Sequence, residues 1–481
     1  MKRLSLAAPL LLVAGCTTVG PNYQAPAAPA AHAGYGVPAQ PPGAVLGQGP
    51  EGEWWRAFAS PRLDSFVHRA LAGNHSLAAS RATLERARER IAAVAGRQLP
   101  QIDVDARAEH QKVNLAAFGL SDSFGGGDIP NPEFDLYTLG GGVSYDLDLF
   151  GRNRRALEQA GAEAEAQARA VQAAHLLVAG RVVAQVLAIA SLNDTMATQR
   201  ALLAEDERNV SLTEARRKAG AGTLVEVLSA QGQLAGDRAT TPALDRQMAE
   251  GRAMLAVLLG ISPTELEPTD FGLGEFVLPA QVPVALPSEL VHKRPDILEA
   301  EARLHSAVAA VGVATADLYP DVTLGGSLTQ STADPDRITS SRFNAFDLFA
   351  GISAPIFHGG TLKAQKRGAE AEARGAAARY QQVVTEAFGQ VSGLLWALGS
   401  DQREIASREE AAEVAGRSLR LSRRSFEVGN SGVLQVLEAN RTYQRAQLTL
   451  LESRIRQYQN IARLYVATAG GWEQQIAPSA S

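Results

Sequence analysis

The sequence predicts a mainly α-helical fold with a β-barrel contribution, in which a duplicated chain supplies four strands and long coiled-coil helices. Three observations predict it. First, residues 74–104 lie over residues 294–324 without a gap, Gly161-Ala-Glu-Ala-Glu-Ala recurs from Gly368, and the run from Gly220 recurs from Gly429. The offsets, about 220, 207 and 209 residues, far exceed a solenoid period, so the halves make one duplicated fold. Second, each half carries two stretches in which apolar and polar residues alternate. Third, each half carries a proline-free helical pattern of about 67 residues with a seven-residue apolar period.

The N-terminus reads as an address. Lys2 and Arg3 precede an apolar run at residues 4–13, and Val13-Ala14-Gly15 leads into Cys16, the one cysteine of the chain. About ten apolar residues are too few for a permanent bilayer span, so residues 1–15 are expected to be a signal peptide. The small residues before Cys16 resemble the bacterial lipobox, which implies cleavage there and N-acyl and diacylglycerol lipid on the thiol-bearing residue. Thr17, rather than Asp, follows, and the resemblance associates that with delivery to the outer membrane. Two or three acyl chains hold a protein firmly where one does not. Residues 16–52, rich in Pro, Ala and Gly, then read as a lipidated, extended tether.

The first repeat is assigned to residues 53–260 and the second to 294–472, with an equatorial linker at 261–293 and a tail at 473–481. A moderate helix opens each repeat and ends at Leu99-Pro100 or Tyr319-Pro320. Strands are expected at about 101–113 and 135–149, and in the copy at about 320–330 and 345–357. Ile102, Val104, Ala106 and Ala108 share one face, with Asp103, Asp105, Arg107 and Glu109 on the other; Val322, Leu324, Gly326 and Leu328 repeat the pattern. Such strands match an outer-membrane barrel wall, polar inside and apolar toward lipid. Four strands cannot close a barrel, and open edges are not tolerated in lipid. The chain is therefore expected to oligomerise, a trimer giving twelve strands.

Helices are expected at about 152–218 and 223–259, then at about 361–428 and 433–468, the longest reaching about 100 Å at 1.5 Å per residue. Val182, Ile189, Met196, Leu203 and Val210 mark one seam, and Val384, Val391, Leu398, Ile405, Ala412, Leu419 and Phe426 the other. Short turns with Gly return each helix into an antiparallel partner.

Composition narrows the function classes. With 46 Lys+Arg against 51 Asp+Glu, the formal charge of -5 gives no reason to expect nucleic acid. A single cysteine excludes a disulfide framework and a cysteine zinc cluster. The eight histidines form no H-E-x-x-H motif, and G-x-S-x-G and the Walker A loop are absent. Asp146 and Asp148 share a strand face, but their place at a strand-to-helix junction favours a structural or lumen-lining role. No catalytic, metal or cofactor-binding residue is assigned, and the chain is not expected to be an enzyme.

Val19-Gly-Pro-Asn-Tyr-Gln-Ala-Pro26, Trp54-Trp55-Arg-Ala-Phe58, Tyr145-Asp-Leu-Asp-Leu-Phe-Gly-Arg152, Leu255-Ala-Val-Leu-Leu-Gly260, Arg294-Pro-Asp-Ile297 and Ala469-Gly-Gly-Trp472 follow in order along nearly the whole chain. In that order they resemble the outer membrane factors of tripartite efflux systems, the TolC-like family, and most closely its NodT-type lipoprotein branch. The resemblance implies a homotrimer with a twelve-stranded barrel in outer-membrane lipid, continued by a periplasmic α-helical tunnel. It implies two further partners, a periplasmic adaptor and an inner-membrane RND-type transporter, and a passive duct exporting drugs or other small toxic compounds. It places a periplasmic gate at Glu226, Gln435 and Glu438, with Gln435 where an acidic residue is frequent. It places adaptor contacts on the tips Gly220, Ala221, Gly222 and Thr223, and Gly429, Asn430, Ser431 and Gly432. Threefold symmetry would turn each carboxylate into a cation-attracting ring. A lipid-anchored periplasmic coiled-coil scaffold is the alternative, and within the channel class a metal-efflux or protein-secretion duct.

Overall fold

A computed structural model describes residues 18–27, 35–37, 43–47, 49–50, 52–114 and 131–468. Cys16 and the signal, part of the tether, most of the first hairpin loop, and the C-terminal Trp472 motif and tail lie outside the described residues. In chain order the first repeat gives β1 (Ala44–Leu46), a 3-10 turn (Trp54–Phe58), α1 (Pro61–Gly73), α2 (His75–Gly96), β2 (Gln101–Lys112), β3 (Glu133–Asp146), α3 (Arg152–Lys218), α4 (Leu224–Arg238) and α5 (Thr241–Leu259). β4 (Val282–Val284) and α6 (Pro287–Lys293) lead into α7 (Pro295–Ala316), β5 (Asp321–Thr332), β6 (Asn344–Ser353), α8 (Thr361–Glu427) and α9 (Val433–Thr468). The duplication is metrical: α2 and α7 have 22 residues each, β2 and β5 have 12, and α3 and α8 have 67.

The described residues fall into two compact units, each drawing on both repeats. The first comprises residues 1–25, 85–165 and 302–378. Its centre is a four-stranded antiparallel sheet in the order β2-β3-β5-β6. The register puts Ile102 opposite Val143, Val143 opposite Gly326 and Gly326 opposite Leu348 on one face. That face is apolar and exposed, with Ile102, Val104, Phe346, Leu348 and Ile352 each more than 70% accessible. The other face carries Asp103, Asp105, Arg107, Glu109, Thr138, Ser144, Thr323, Ser327 and Asp347. Leu136, Phe134 and Phe349 are its large apolar members, and Phe349 pairs with Gly325, whose missing Cβ leaves room for the ring. β3 and β6 stop earlier than expected, so Leu147, Leu149 and Ile356 stand outside them. At the first stop Asp148 accepts hydrogen bonds from Asn153 N (2.9 Å) and Arg154 N (3.0 Å), capping α3, while Asp146 accepts from Asp148 N at 2.8 Å.

The second unit comprises residues 26–84, 166–301 and 379–481. Trp55, Phe58, Leu63, Leu187, Ile189, Leu255, Ile297, Leu395 and Leu464 are fully buried in it, and Trp54 stacks on Tyr465 with ring centroids 5.5 Å apart. Here the Trp54-Trp55 motif has its cause, as aromatic mass that seats the chain start against α9. An 18-residue stretch of α3 is as apolar as a membrane span, but half of it is buried among these helices and it packs as a core helix.

At Ala44–Leu46 the tether is extended and paired, lying parallel to Val282–Val284 and adding a strand to the equatorial linker. Two expectations are corrected. The helix opening the first repeat is two helices, broken at Asn74, and in the second a further helix, α6, precedes Arg294 within the linker. The expected helix 223–259 is two as well, α4 and α5, because Pro242 sits in the first turn of α5 and has no N–H to continue the ladder. The break is mild, since Ala239 and Thr240 both keep right-handed helical torsions.

Candidate functional site

The ends of the two long helices are built by the same rule. At the end of α3, Ala221 N donates to Arg216 O (2.9 Å) and Gly220 N to Arg217 O (3.0 Å). At the end of α8, Asn430 N donates to Ser425 O (2.8 Å) and Gly429 N to Phe426 O (3.0 Å). These paired bonds need a left-handed residue after the last helical turn, and Gly220 (φ 72°) and Gly429 (φ 77°) supply it. The tips also touch: the Arg216 guanidinium lies 4.3 Å from the centroid of Phe426, and Arg216 Nη2 donates to Ala221 O at 3.3 Å. Arg216, Arg217 and Lys218 sit in the last turn of α3, where the helix dipole favours positive charge.

The returning helices start differently. Thr223 and Glu226 form a capping box: Thr223 N donates to Glu226 Oε2 at 2.8 Å and Glu226 N to Thr223 Oγ1 at 3.3 Å. Gly432 and Gln435 hold the same places in the copy, where Gln435 N bonds the Gly432 carbonyl (3.2 Å) and the Gln435 side chain is exposed. Of the three gate candidates, then, Glu226 is half-buried with its carboxylate committed to its own helix, and Gln435 is solvent-facing. Glu438 is exposed, 3.8 Å from Arg441. No hydrogen bond joins the three among the described residues. Below the second tip, Leu419, Phe426, Val433 and Val436 form a small apolar cluster that fixes the turn.

Sequence periodicity missed the polar stretch of the seam. In α8 the expected positions Val391, Leu398, Ala412, Leu419 and Phe426 are buried. In the second half of α3 the buried positions are Gln199, Leu202, Asp206, Asn209 and Thr213, while the expected Met196, Leu203 and Val210 are half-buried. Tracing apolar residues led to the wrong stripe because the buried face here is polar. Its spacing of alternating three and four residues was the available signal. Around it Glu205 pairs with Arg423 (2.5 Å), Arg238 with Glu207 (2.7 Å), and Arg441 Nε donates to Gln233 Oε1 (3.1 Å), which ties the first repeat to the second. Among the described residues no group of three His, Cys, Asp or Glu has the arrangement of a metal site.

Back in the first unit, Val19 N donates to Phe150 O at 3.1 Å, and Thr18 packs so closely on Gly151 (φ 79°) that a Cβ there would lie 2.7 Å from it. Arg155, buried, donates from Nη2 to Asn22 Oδ1 (2.7 Å) and from Nη1 to Glu158 Oε2 (2.7 Å). Glu158 meets His305 at 3.0 Å, and His305 stacks on Tyr23 with centroids 4.2 Å apart. The Val19-Gly-Pro-Asn-Tyr motif is thus held at the strand-to-helix junction.

The profile of the outer membrane efflux protein family matches residues 66–261 and 286–470. The pyoverdine export outer membrane protein OpmQ of Pseudomonas aeruginosa is 30% identical over 422 residues, 88% of each chain. The probable outer membrane lipoprotein SilC of Salmonella typhimurium is 25% identical over 473 residues, 98% of this chain and 99% of its own. The solved structure of the outer-membrane channel OprN matches with a TM-score of 0.84 at 30% identity, over 95% of this chain and 100% of that one.

Proposed function

The chain belongs to the outer membrane efflux protein family, and on that premise we propose that three copies join edge to edge as the passive exit duct of a tripartite pump. As a family member it is an outer-membrane channel component of an efflux system. The sheet carries the trimer proposal. Among the described residues β2 and β6 each pair on one side only, and the exposed apolar face has no use in water. Closing the sheet with two further copies pairs both edges and turns the apolar face to lipid.

The membrane band is marked on β3. Tyr145, Val143, Gly141, Leu139 and Tyr137 share the apolar face, a rise of about 26 Å along the strand, or about 20 Å of height at a tilt near 40°. Tyr residues at both ends suit the two interfaces. Immediately beyond Tyr137 the same face becomes charged, with His110 against Asp135 (2.9 Å) and Glu133 (3.0 Å) and Lys112 against Glu133 (3.5 Å). The opposite, acid-rich face lines the duct.

The tips at Gly220 to Thr223 and Gly429 to Gly432 receive the periplasmic adaptor, which couples the duct to an inner-membrane RND-type transporter. Cys16 carries the lipid: the chain two residues later is pinned at Gly151, beside the end of the sheet, so an acyl anchor would sit within reach of the same bilayer. The relative SilC is itself described as a lipoprotein. The cargo is drugs or other small toxic compounds, and no step of their export asks the chain for catalysis. Heat-modifiable trimers in detergent and stepwise ion conductance in planar bilayers are the expected results. A stable monomer that conducts nothing would overturn the trimeric duct, and a deletion strain with unchanged tolerance across a panel of toxic compounds would overturn the cargo.

A further inference from the structure

Asp206 is 1% accessible in the seam between α3 and α4, and neither of its carboxylate oxygens receives a hydrogen bond from a protein N–H or from an O–H other than a carboxylic acid. α3 and α4 lie side by side here, with Arg238 paired to Glu207 (2.7 Å) and Gln199 Nε2 donating to the Asp237 main chain, and the Asp237 carboxyl in the last turn of α4 is the hydrogen-bonding neighbour of Asp206. Two facing carboxylates in a buried place repel when both are charged, and a proton held between them gives Asp206 the donor it otherwise lacks. Asp237 has its own support, since Gln233 Nε2 donates to its carboxylate and Gln199 Nε2 to its main-chain carbonyl (2.8 Å). Asn209, one turn along α3, has a buried Nδ2 with no acceptor.

We propose that Asp206 and Asp237 share one proton and form a pH-sensitive latch that pins α4 against α3. The duplication argues against a purely architectural role. At the repeat spacing of about 209 residues the equivalent positions are Ala415 and Ala446, so the fold packs this seam without carboxyls. The placement suits a hinge. Asp237 lies two residues before the Ala239–Thr240 break, and its carbonyl also accepts from Thr240 N (3.2 Å) and Thr240 Oγ1 (2.8 Å). From there α4 runs as a rigid lever of 15 residues to the Thr223–Glu226 tip. A helix of that length spans about 22 Å, so a rotation of about 10° at the hinge moves the tip by about 4 Å.

The charged groups flanking the pair on α3, α4, α8 and α9 are themselves paired. Glu205 on α3 is paired with Arg423 of α8 and with Arg208; Glu207 on α3 is paired with Arg238 of α4; Arg441 of α9 bonds Gln233 and pairs with Glu438. Burial, then the hydrogen bond and repulsion from Asp237, with Glu205 adding and Arg441 opposing, push Asp206 up to about 7. Loss of the shared proton therefore falls in the neutral range, leaving two facing negative charges.

The latch concerns the tip at which the family resemblance places a gate, and it rests on the duct reading only for its effect on flow. Backbone hydrogen exchange in the purified full-length trimer tests it, with 433–447, the equivalent stretch of the second repeat, as internal control. After correction for intrinsic exchange, protection of 224–238 should fall about tenfold relative to the control between pH 6 and pH 8, the span over which one proton is lost. Asp206→Asn, whose amide donates to Asp237 without a titrating proton, should abolish the difference, and Asp237→Asn should do the same. Equal pH response in the two stretches, or titration of both Asn variants like the parent, overturns the latch. Conductance over the same range tests the coupling separately: a constant conductance with the exchange difference intact keeps the latch and removes its role as a gate.

Discussion

Asn74 and Arg294 stand at equivalent positions of the two repeats and tie down equivalent carbonyls by different chemistry. Asn74 Nδ2 donates to the Leu258 carbonyl at 2.8 Å near the end of α5, and Arg294 Nη1 to the Ala467 carbonyl at 3.1 Å near the end of α9. Each also starts the helix that follows. Asn74 Oδ1 accepts from Ser76 N and Leu77 N at 3.1 Å, and Arg294 Nε holds Asp296 (2.8 Å), which accepts from Ile297 N at 2.9 Å. The break between paired helices is therefore a built joint, and the Arg294-Pro-Asp-Ile motif is one of its two versions.

Asn74→Ala removes a cap and leaves the Leu258 carbonyl without its partner in a site where Asn74 is 8% accessible, a loss of about 2 to 3 kcal/mol. Arg294→Lys keeps the charge but cannot serve Asp296, Ala467 and Gln390 at once, and should cost about 1 to 2 kcal/mol. Urea midpoints of the trimer measure both. Substitutions that leave the midpoint in place would show that the joint is held by packing alone.

The capping box makes the two tip acids separable. Glu226→Gln keeps a side chain able to bond the Thr223 N–H while removing the charge, so it should lower cation selectivity without loss of stability. Thr223→Ala should do the reverse, costing about 1 kcal/mol and leaving selectivity intact. Glu438→Gln, exposed and not part of a cap, should change selectivity alone. Reversal potentials across a salt gradient, together with melting of the trimer, tell these outcomes apart; identical selectivity in all three would remove both acids from the gate.

Much of this fold was legible in the sequence because its signals are local and repeated. Alternation in 101–109 and 321–329 gave the strands, and the absence of proline between Arg152 and Lys218 gave a helix of full length. What escaped depended on contacts distant in sequence. The strand Ala44–Leu46 exists because Val282–Val284 lies beside it, 238 positions away in register. The polar stripe of Gln199, Asp206 and Asn209 could not be found by counting apolar residues, since it is buried by its partners' geometry. The Pro242 break was visible, but a proline tolerated in a first turn interrupts an apolar pattern without disturbing it. The role of Glu226 was legible in part: Thr223-x-x-Glu226 is the capping signature, at the position where the resemblance places the gate.

The buried Arg155 should be the residue on which the N-terminal clamp depends. Its replacement by Ala removes the bond to Asn22 and leaves Glu158 without its main partner, a cost of about 3 kcal/mol. Gly312→Ala attacks the same site sterically, because its Cβ would lie 2.8 Å from the Arg155 side chain. Both variants should make residues 18–25 sensitive to protease in the purified protein. Resistance equal to the parent protein would mean that other contacts hold the segment.

His175 supplies a pH test that needs no channel recording. Arg81 Nη2 lies 3.2 Å from His175 Nε2, and a guanidinium can only donate, so the imidazole must be neutral with its lone pair on that nitrogen. Burial, and then the nearby Arg81 charge, lower its pKa from 6.5 to about 4. In the unfolded chain His175 takes a proton as pH falls through about 6.5, while the folded chain refuses it until about 4, so the unfolded state binds more protons across that window. Stability should therefore fall as pH drops from about 6.5 to about 4, by at most about 3 kcal/mol for this group, and stay level in this respect above 6.5. Carboxylates titrate over part of the same range, so the informative quantity is the difference from His175→Gln, which can accept from Arg81 but has no proton to gain. Parent and variant should differ in urea midpoint by an amount that changes between pH 7 and pH 4.5. A constant difference across that range would mean that His175 is protonated in the folded protein, and the contact with Arg81 would have to open to allow it.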